Sequence, residues 1–122
     1  MVTVNVDSGE LEALIKRIAE QGDEAKEWVA DEITYAAFEI ESKAKARCPV
    51  VTGRLRASIR SFVDRDTLSA IVGTNVEYAP LVEYGRITKT GRKIRGTAFL
   101  YPAYFEVAGK LLERIKRNLN GK

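Results

Sequence analysis

Apolar positions recur along this chain with two different periods. Val2, Val4 and Val6 alternate with Thr3 and Asn5, the period-two pattern of a strand or an extended arm over residues 1–7. Asp7 followed by Glu10 has the spacing of a capping box. Leu11, Leu14, Ile15 and Ile18 then share one helical face, which predicts a helix from about Ser8 to Glu20, ending near Gly22. Asp23 can cap a second helix. Trp28, Val29, Ile33, Ala36, Ala37, Ile40 and Ala44 recur at intervals of three and four, with Glu24, Glu27, Asp31, Glu39 and Lys43 mostly off that stripe. This predicts one long amphipathic helix over roughly 23–47, stopped by Pro49, which biases Cys48 away from helical geometry.

The second half reads in shorter pieces. Thr52 can cap a helical turn over 52–59. Ile59–Val63 and Leu68–Val72 read as strands joined by the tight polar turn Asp64-Arg65-Asp66, with Gly73 at the exit of the second strand. Pro80 opens a short helix that Gly85 closes. From Arg86 to Gly96 no period is visible, and residues 86–97 read as a mobile basic loop. Pro102–Leu119 predicts a last helix with Ala103, Val107, Leu111, Leu112, Ile115 and Leu119 inward; Lys116, Arg117 and Lys122 lie where the helix dipole favours cations. The expected class is α+β: long amphipathic helices packed on a small antiparallel β-sheet.

Composition fits that picture. A chain of 122 residues, 45% hydrophobic and 30% charged, is expected to fold as one domain spanning 1–122. A core this small gains from packing against neighbours. Net charge is +3, but it is unevenly spread. Residues 1–50 carry 6 Lys/Arg against 11 Asp/Glu, a net of −5; residues 51–122 carry 14 against 6, a net of +8. Such polarity suits head-to-tail contact between copies or a basic face near nucleic acid, as well as two plainly solvated surfaces.

Much chemistry is excluded. The chain has no histidine and one cysteine, so neither a Ser-His-Asp or Cys-His nucleophile nor a Cys/His zinc site can be assembled. Gly91 and Gly96 have the spacing of phosphate-loop glycines, but Thr97-Ala98 stands where Lys-Ser/Thr is needed. Glu77 and Glu83 could meet near one another, though as ordinary surface or interface acids they need no catalytic role. Cys48, at a helix end before proline, reads as a small buried packing residue. No cofactor and no metal is expected. No apolar run approaches the roughly 20 residues that cross a bilayer, and the N-terminus lacks the pattern of a signal peptide. The expected location is the cytoplasm.

Three segments then resemble one family. Cys48-Pro49-Val50-Val51-Thr52-Gly53-Arg54-Leu55-Arg56-Ala57-Ser58-Ile59 follows the long helix. Val72-Gly73-Thr74-Asn75-Val76-Glu77-Tyr78-Ala79-Pro80-Leu81-Val82-Glu83-Tyr84-Gly85 comes next, and Ala98-Phe99-Leu100-Tyr101-Pro102-Ala103 opens the last helix. In order and spacing they are similar to the blocks of the neck and tail-component family of tailed phages, typified by gene product ten of coliphage HK-97. Val51 and Ala98 depart from the aspartate and proline usual in that pattern.

The resemblance implies a non-enzymatic virion assembly protein of the head–tail junction. It would be made in the bacterial host cytoplasm and built into the neck or tail. It would form a ring with itself, as a hexamer, and dock on adjoining head-connector or tail proteins, with no membrane partner. The expected contact residues are Arg54, Arg56, Glu77, Tyr78, Glu83, Tyr84, Phe99 and Tyr101. Arg54 and Arg56 also suit a capped turn, the tyrosines a cover for the sheet edge, and the cluster from Phe99 to Phe105 mostly core. Arg86, Lys89, Arg92, Lys93 and Arg95, five bases without an acid, form a loop expected to order on docking and to face DNA in the channel. The competing class is a small nucleic-acid-binding or regulatory protein, against which stands the lack of any recognition-helix or RNA-binding signature.

Overall fold

The computed structural model describes residues 2–7, 9–49 and 53–120, with side chains described through Asn118. Alternation at the N-terminus produces strand β1 (Val2–Asn5), with Val2 and Val4 buried and Thr3 and Asn5 outward. Helix α1 (Glu10–Ala19) buries Leu11, Ile15 and Ile18. Helix α2 (Asp23–Arg47) buries Val29, Ala30, Ile33, Ala36, Ala37, Ile40 and Ala44. It stops where expected, Cys48 turning to extended geometry before Pro49.

A short helix α3 (Arg54–Ser58) leads into the hairpin of β2 (Arg60–Asp64) and β3 (Ser69–Thr74). Asp64 holds the turn by accepting the N–H groups of Asp66 (3.0 Å) and Thr67 (3.3 Å). Strand β3 is central, in the order β1-β3-β2, antiparallel on both sides: Val2 faces Thr74 and Asp64 faces Ser69. Helix α4 (Ala79–Tyr84) follows, then strands β4 (Gly85–Ile87) and β5 (Lys93–Arg95), and finally helix α5 (Leu100–Asn120).

The architecture is α+β. Helices α2 and α5 pack on each other and run antiparallel, as the ion pairs Glu32–Arg114 and Glu106 with Lys43 and Arg47 require. Helix α2 also covers β2 and β3, while α5 reaches β1. Between them lies a continuous core: Val4, Val6, Ile33, Ile40, Val72, Phe99, Leu100, Val107, Leu111 and Ile115 are all buried.

Several local expectations are corrected. Asp7 does not cap α1; its carboxylate accepts the Ala70 N–H at 3.3 Å, and Gly9 is the N-cap residue. Asp23 is the first helical residue of α2 and not its cap, which is Gly22. Gly73 does not end its strand. It lies inside β3 because β1 passes so close that a Cβ there would come within 2.3 Å of the Val2 carbonyl oxygen. Residues 86–97 contain an antiparallel hairpin, Arg86 facing Ile94 and Ile87 facing Lys93. Its strands are too short to show a period. The Ser8 helix start, the Thr52 cap and the inward placement of Leu119 lie outside what is described.

Candidate interaction surface

The first two sequence blocks meet. Arg54 on α3 makes a bidentate pair with Glu77, donating at 3.0 and 2.9 Å, and its guanidinium lies 5.5 Å from the Tyr78 ring centroid. The hydrogen bond from Arg54 holds the Glu77 carboxyl below its ordinary range. Behind this clasp runs a relay of hydroxyls. Ser58 donates to the Leu55 carbonyl at 2.6 Å, so the Thr74 hydroxyl, 2.6 Å away, donates to Ser58 and itself accepts the Val76 N–H. Together these fasten α3 to the segment between β3 and α4. Arg56 stands apart, reaching the Cys48 carbonyl at 3.5 Å. Cys48 is buried, and desolvation pushes its thiol up.

The second and third blocks meet at Glu83, which with Phe99 must be corrected as an outward contact residue. Glu83 is only 5% exposed. Its carboxylate accepts the N–H groups of Phe99 (3.1 Å), Leu100 (3.0 Å) and Tyr101 (3.3 Å), amides at the start of α5 that have no helical acceptor. A negative charge there is also favoured by the helix dipole. Phe99 is fully buried in the core. Glu77 and Glu83 have different partners, one a guanidinium and the other backbone amides, so they form no acid pair.

Tyr84 remains outward and Tyr101 is half-buried beside it, their ring centroids 6.1 Å apart; Tyr101 continues to Phe105 at 6.3 Å, and Phe105 meets Tyr104 edge-on at 5.3 Å. A hydrogen bond with Tyr101 pushes the Tyr84 phenol up to about 12. Tyr84 is 62% exposed, and Leu81 and Phe105 are exposed beside this row. The hairpin begins immediately after Tyr84. At its base Gly85 faces Arg95 and lies close against Gly96, where a Cβ on Gly96 would lie 2.5 Å from the Gly85 nitrogen. At its tip Gly91 takes a positive φ, and Thr88 and Arg92 close the turn by a 2.8 Å backbone bond. Arg86, Lys89, Arg92, Lys93 and Arg95 are all exposed, as are Ile87 and Ile94. Among the described residues none of these five cations has a carboxylate partner.

Sequence reasoning missed two further apolar surfaces. Tyr35 (71% exposed) and Phe38 (56%) lie on the outward side of α2. They are three apart and off the Ile33–Ala37–Ile40 stripe, a signal that was readable. Phe62 and Ile71 are directly paired on the outer sheet face, above a cleft of about 420 Å³ that Arg60 and Asn75 help to line. Phe62 alternates with Arg60 and Asp64, which also marks it as outward. Among the described residues there is no group of three or more carboxylate, thiol or imidazole side chains placed to hold a metal. No described helix is long and apolar enough to cross a membrane.

The family model described as "Bacteriophage HK97-gp10, putative tail-component" matches residues 12–85. That span contains the Arg54–Glu77 clasp and Glu83, while the Phe99–Ala103 block lies beyond it. No curated protein and no solved structure matches the chain.

Proposed function

The chain belongs to the bacteriophage HK97-gp10-like tail-component family, and from that premise we propose that it is an assembly subunit of the head–tail junction, in the neck or tail-completion layer. It works by oligomerising into a ring, hexameric in this reading, and by docking on adjoining head-connector or tail proteins. No substrate is transformed. The observation that carries this reading is the surface: large apolar side chains on α2, on the outer sheet face, and from Leu81 through Tyr84 to Phe105 stand in solvent on a small subunit. Exposed apolar surface of this kind marks contact with other proteins. The charge imbalance, −5 over residues 1–50 and +8 over residues 51–122, supports heterologous contact between copies.

The experiment is a phage carrying this gene with a stop codon early in the reading frame. The expected result is DNA-filled heads and tails that fail to join, with joining restored by the supplied protein. The chain should also be found in purified virions. Infectious, fully joined particles made without it would overturn the reading.

A second reading, nucleic-acid binding, draws on the five exposed cations of the hairpin. Capture of duplex DNA at micromolar protein, lost steeply with added salt, would favour it.

A further inference from the structure

The outward side of α2 is an unpartnered helix face of defined character. Trp28, Asp31, Tyr35, Phe38 and Ser42 follow one another at intervals of three and four, the spacing of a packing seam. Tyr35 and Phe38 are exposed and Trp28 is half-buried. Acids flank this stripe. Asp31 and Glu27 share Arg65, while Glu24 and Glu39 have no cation partner among the described residues. Glu20 and Asp23, at the same end as Glu24, are exposed and likewise unpaired.

The β4–β5 hairpin has the opposite character. Cross-strand pairing places Arg86 and Ile94 on one face and Ile87 and Lys93 on the other, so each face carries both a cation and an isoleucine. Ile87 is 68% exposed. Tyr84 and Leu81 extend the apolar area at the hairpin's base. A ribbon made only to lie along phosphates would need the cations but not the isoleucines or the tyrosine.

We propose that the β4–β5 hairpin of one copy, with Tyr84 and Leu81, docks on the outward face of α2 of a second copy. Basic side chains meet Glu24, Asp31 and Glu39, and the isoleucines and Tyr84 cover Tyr35 and Phe38. The two surfaces are different parts of the same chain, so every copy offers one of each. Such contact is heterologous and repeats until it closes. This inference rests on the self-assembly reading above and names its surfaces.

Two charge-reversed variants test it. One carries Lys89→Glu, Arg92→Glu and Lys93→Glu; the other carries Glu24→Lys and Glu39→Lys. Lys89, Arg92, Lys93 and Glu24 are exposed and Glu39 is half-exposed; among the described residues none of the five pairs with an opposite charge, and circular dichroism checks that both variants fold. In sedimentation velocity at low salt, each variant alone is expected to self-associate about tenfold or more weakly than the unaltered chain. In the mixture, acidic hairpins meet basic α2 faces and basic hairpins meet acidic ones, and association should return. Self-association of the unaltered chain that neither variant weakens would overturn these surfaces while leaving the ring reading standing. An unaltered chain that stays monomeric at every concentration and salt would remove the ring reading itself. Loss of duplex-DNA binding in the hairpin variant, with self-association unchanged, would overturn the proposal in favour of nucleic acid.

Discussion

A single carboxylate accounts for much of how the C-terminal helix is set. The N–H groups at a helix start lack intrahelical acceptors, and a local Ser, Thr, Asn or Asp commonly supplies one. Here the residues before α5 are Thr97, Ala98 and Phe99, and the acceptor comes instead from Glu83 on another helix. Because Glu83 is buried, water cannot replace it. Glu83→Gln removes the charge; its remaining carbonyl oxygen can still accept from Phe99 and Leu100, but its amide donor is then set against the Tyr101 N–H, which is left unsatisfied. Hydrogen bonds to a charged group contribute about 1.5–3 kcal/mol, so the variant should melt roughly 5–15 °C lower for a chain of this size. Thermal unfolding followed by circular dichroism reads this directly. An unchanged melting temperature would mean that the three contacts contribute nothing net. Nothing in the sequence marked Glu83 as a cap, since its partners lie 16 to 18 positions away. Its glutamate neighbour in the same block, Glu77, is a surface acid held by Arg54. Position in a motif did not separate the two; burial does.

Helices α2 and α5 were legible because their apolar periods are long and Pro49 supplies a stop. The β2–β3 hairpin was legible from its alternation and from Asp64-Arg65-Asp66. The β4–β5 hairpin was not, because three-residue strands carry too few positions to show a period and Arg, Lys and Ile give no inward face. What makes it a hairpin is close approach at its base. A Cβ on Gly96 would sit 2.5 to 2.7 Å from backbone atoms of Gly85, Tyr84 and Glu83, none of which is a flexible side-chain end. Gly96→Ala must therefore push the hairpin away from α4 and stretch the 2.7 Å bond from the Thr97 N–H to the Val82 carbonyl. Overpacking of this kind costs about 1–3 kcal/mol. Faster amide exchange at Thr97, together with a lower melting temperature, is the expected outcome. Gly109→Ala is the control. It lies in α5 with open space around it, so replacing glycine there should stabilise the helix by about 0.5–1 kcal/mol. Equal effects of the two alanines would show that the base of the hairpin is not tightly packed.

The chain is closed on itself from its first strand. β1 pairs with β3 from Val2 opposite Thr74 to Asn5 opposite Ile71, and the Val6 N–H continues the ladder to the Ala70 carbonyl at 2.9 Å. Helix α5 touches β1 as well, so the two ends of the sequence share one core. Read from sequence alone, residues 1–7 fitted an arm as well as a strand, because alternation does not say which surface the apolar side will meet. Packing distinguishes them: Val2, Val4 and Val6 are all buried. Burying a valine contributes about 1.5–3 kcal/mol, so removing residues 2–6 withdraws roughly 5–9 kcal/mol, of the order of the ~5–15 kcal/mol that holds a small domain together. It also bares the flank of β3, an unpaired edge that invites aggregation. A chain lacking residues 2–6 should therefore show no cooperative thermal transition, retain only part of its helical signal and sediment as heterogeneous aggregates. A dispensable arm would behave otherwise, with the truncated chain melting near the full-length temperature. That result would confine the working sheet to β2 and β3. The expected collapse instead means that β1, although exposed on its outer side at Thr3 and Asn5, cannot leave to pair with a neighbour. In the proposed ring, contacts between copies must then be made by surfaces already present on the folded subunit.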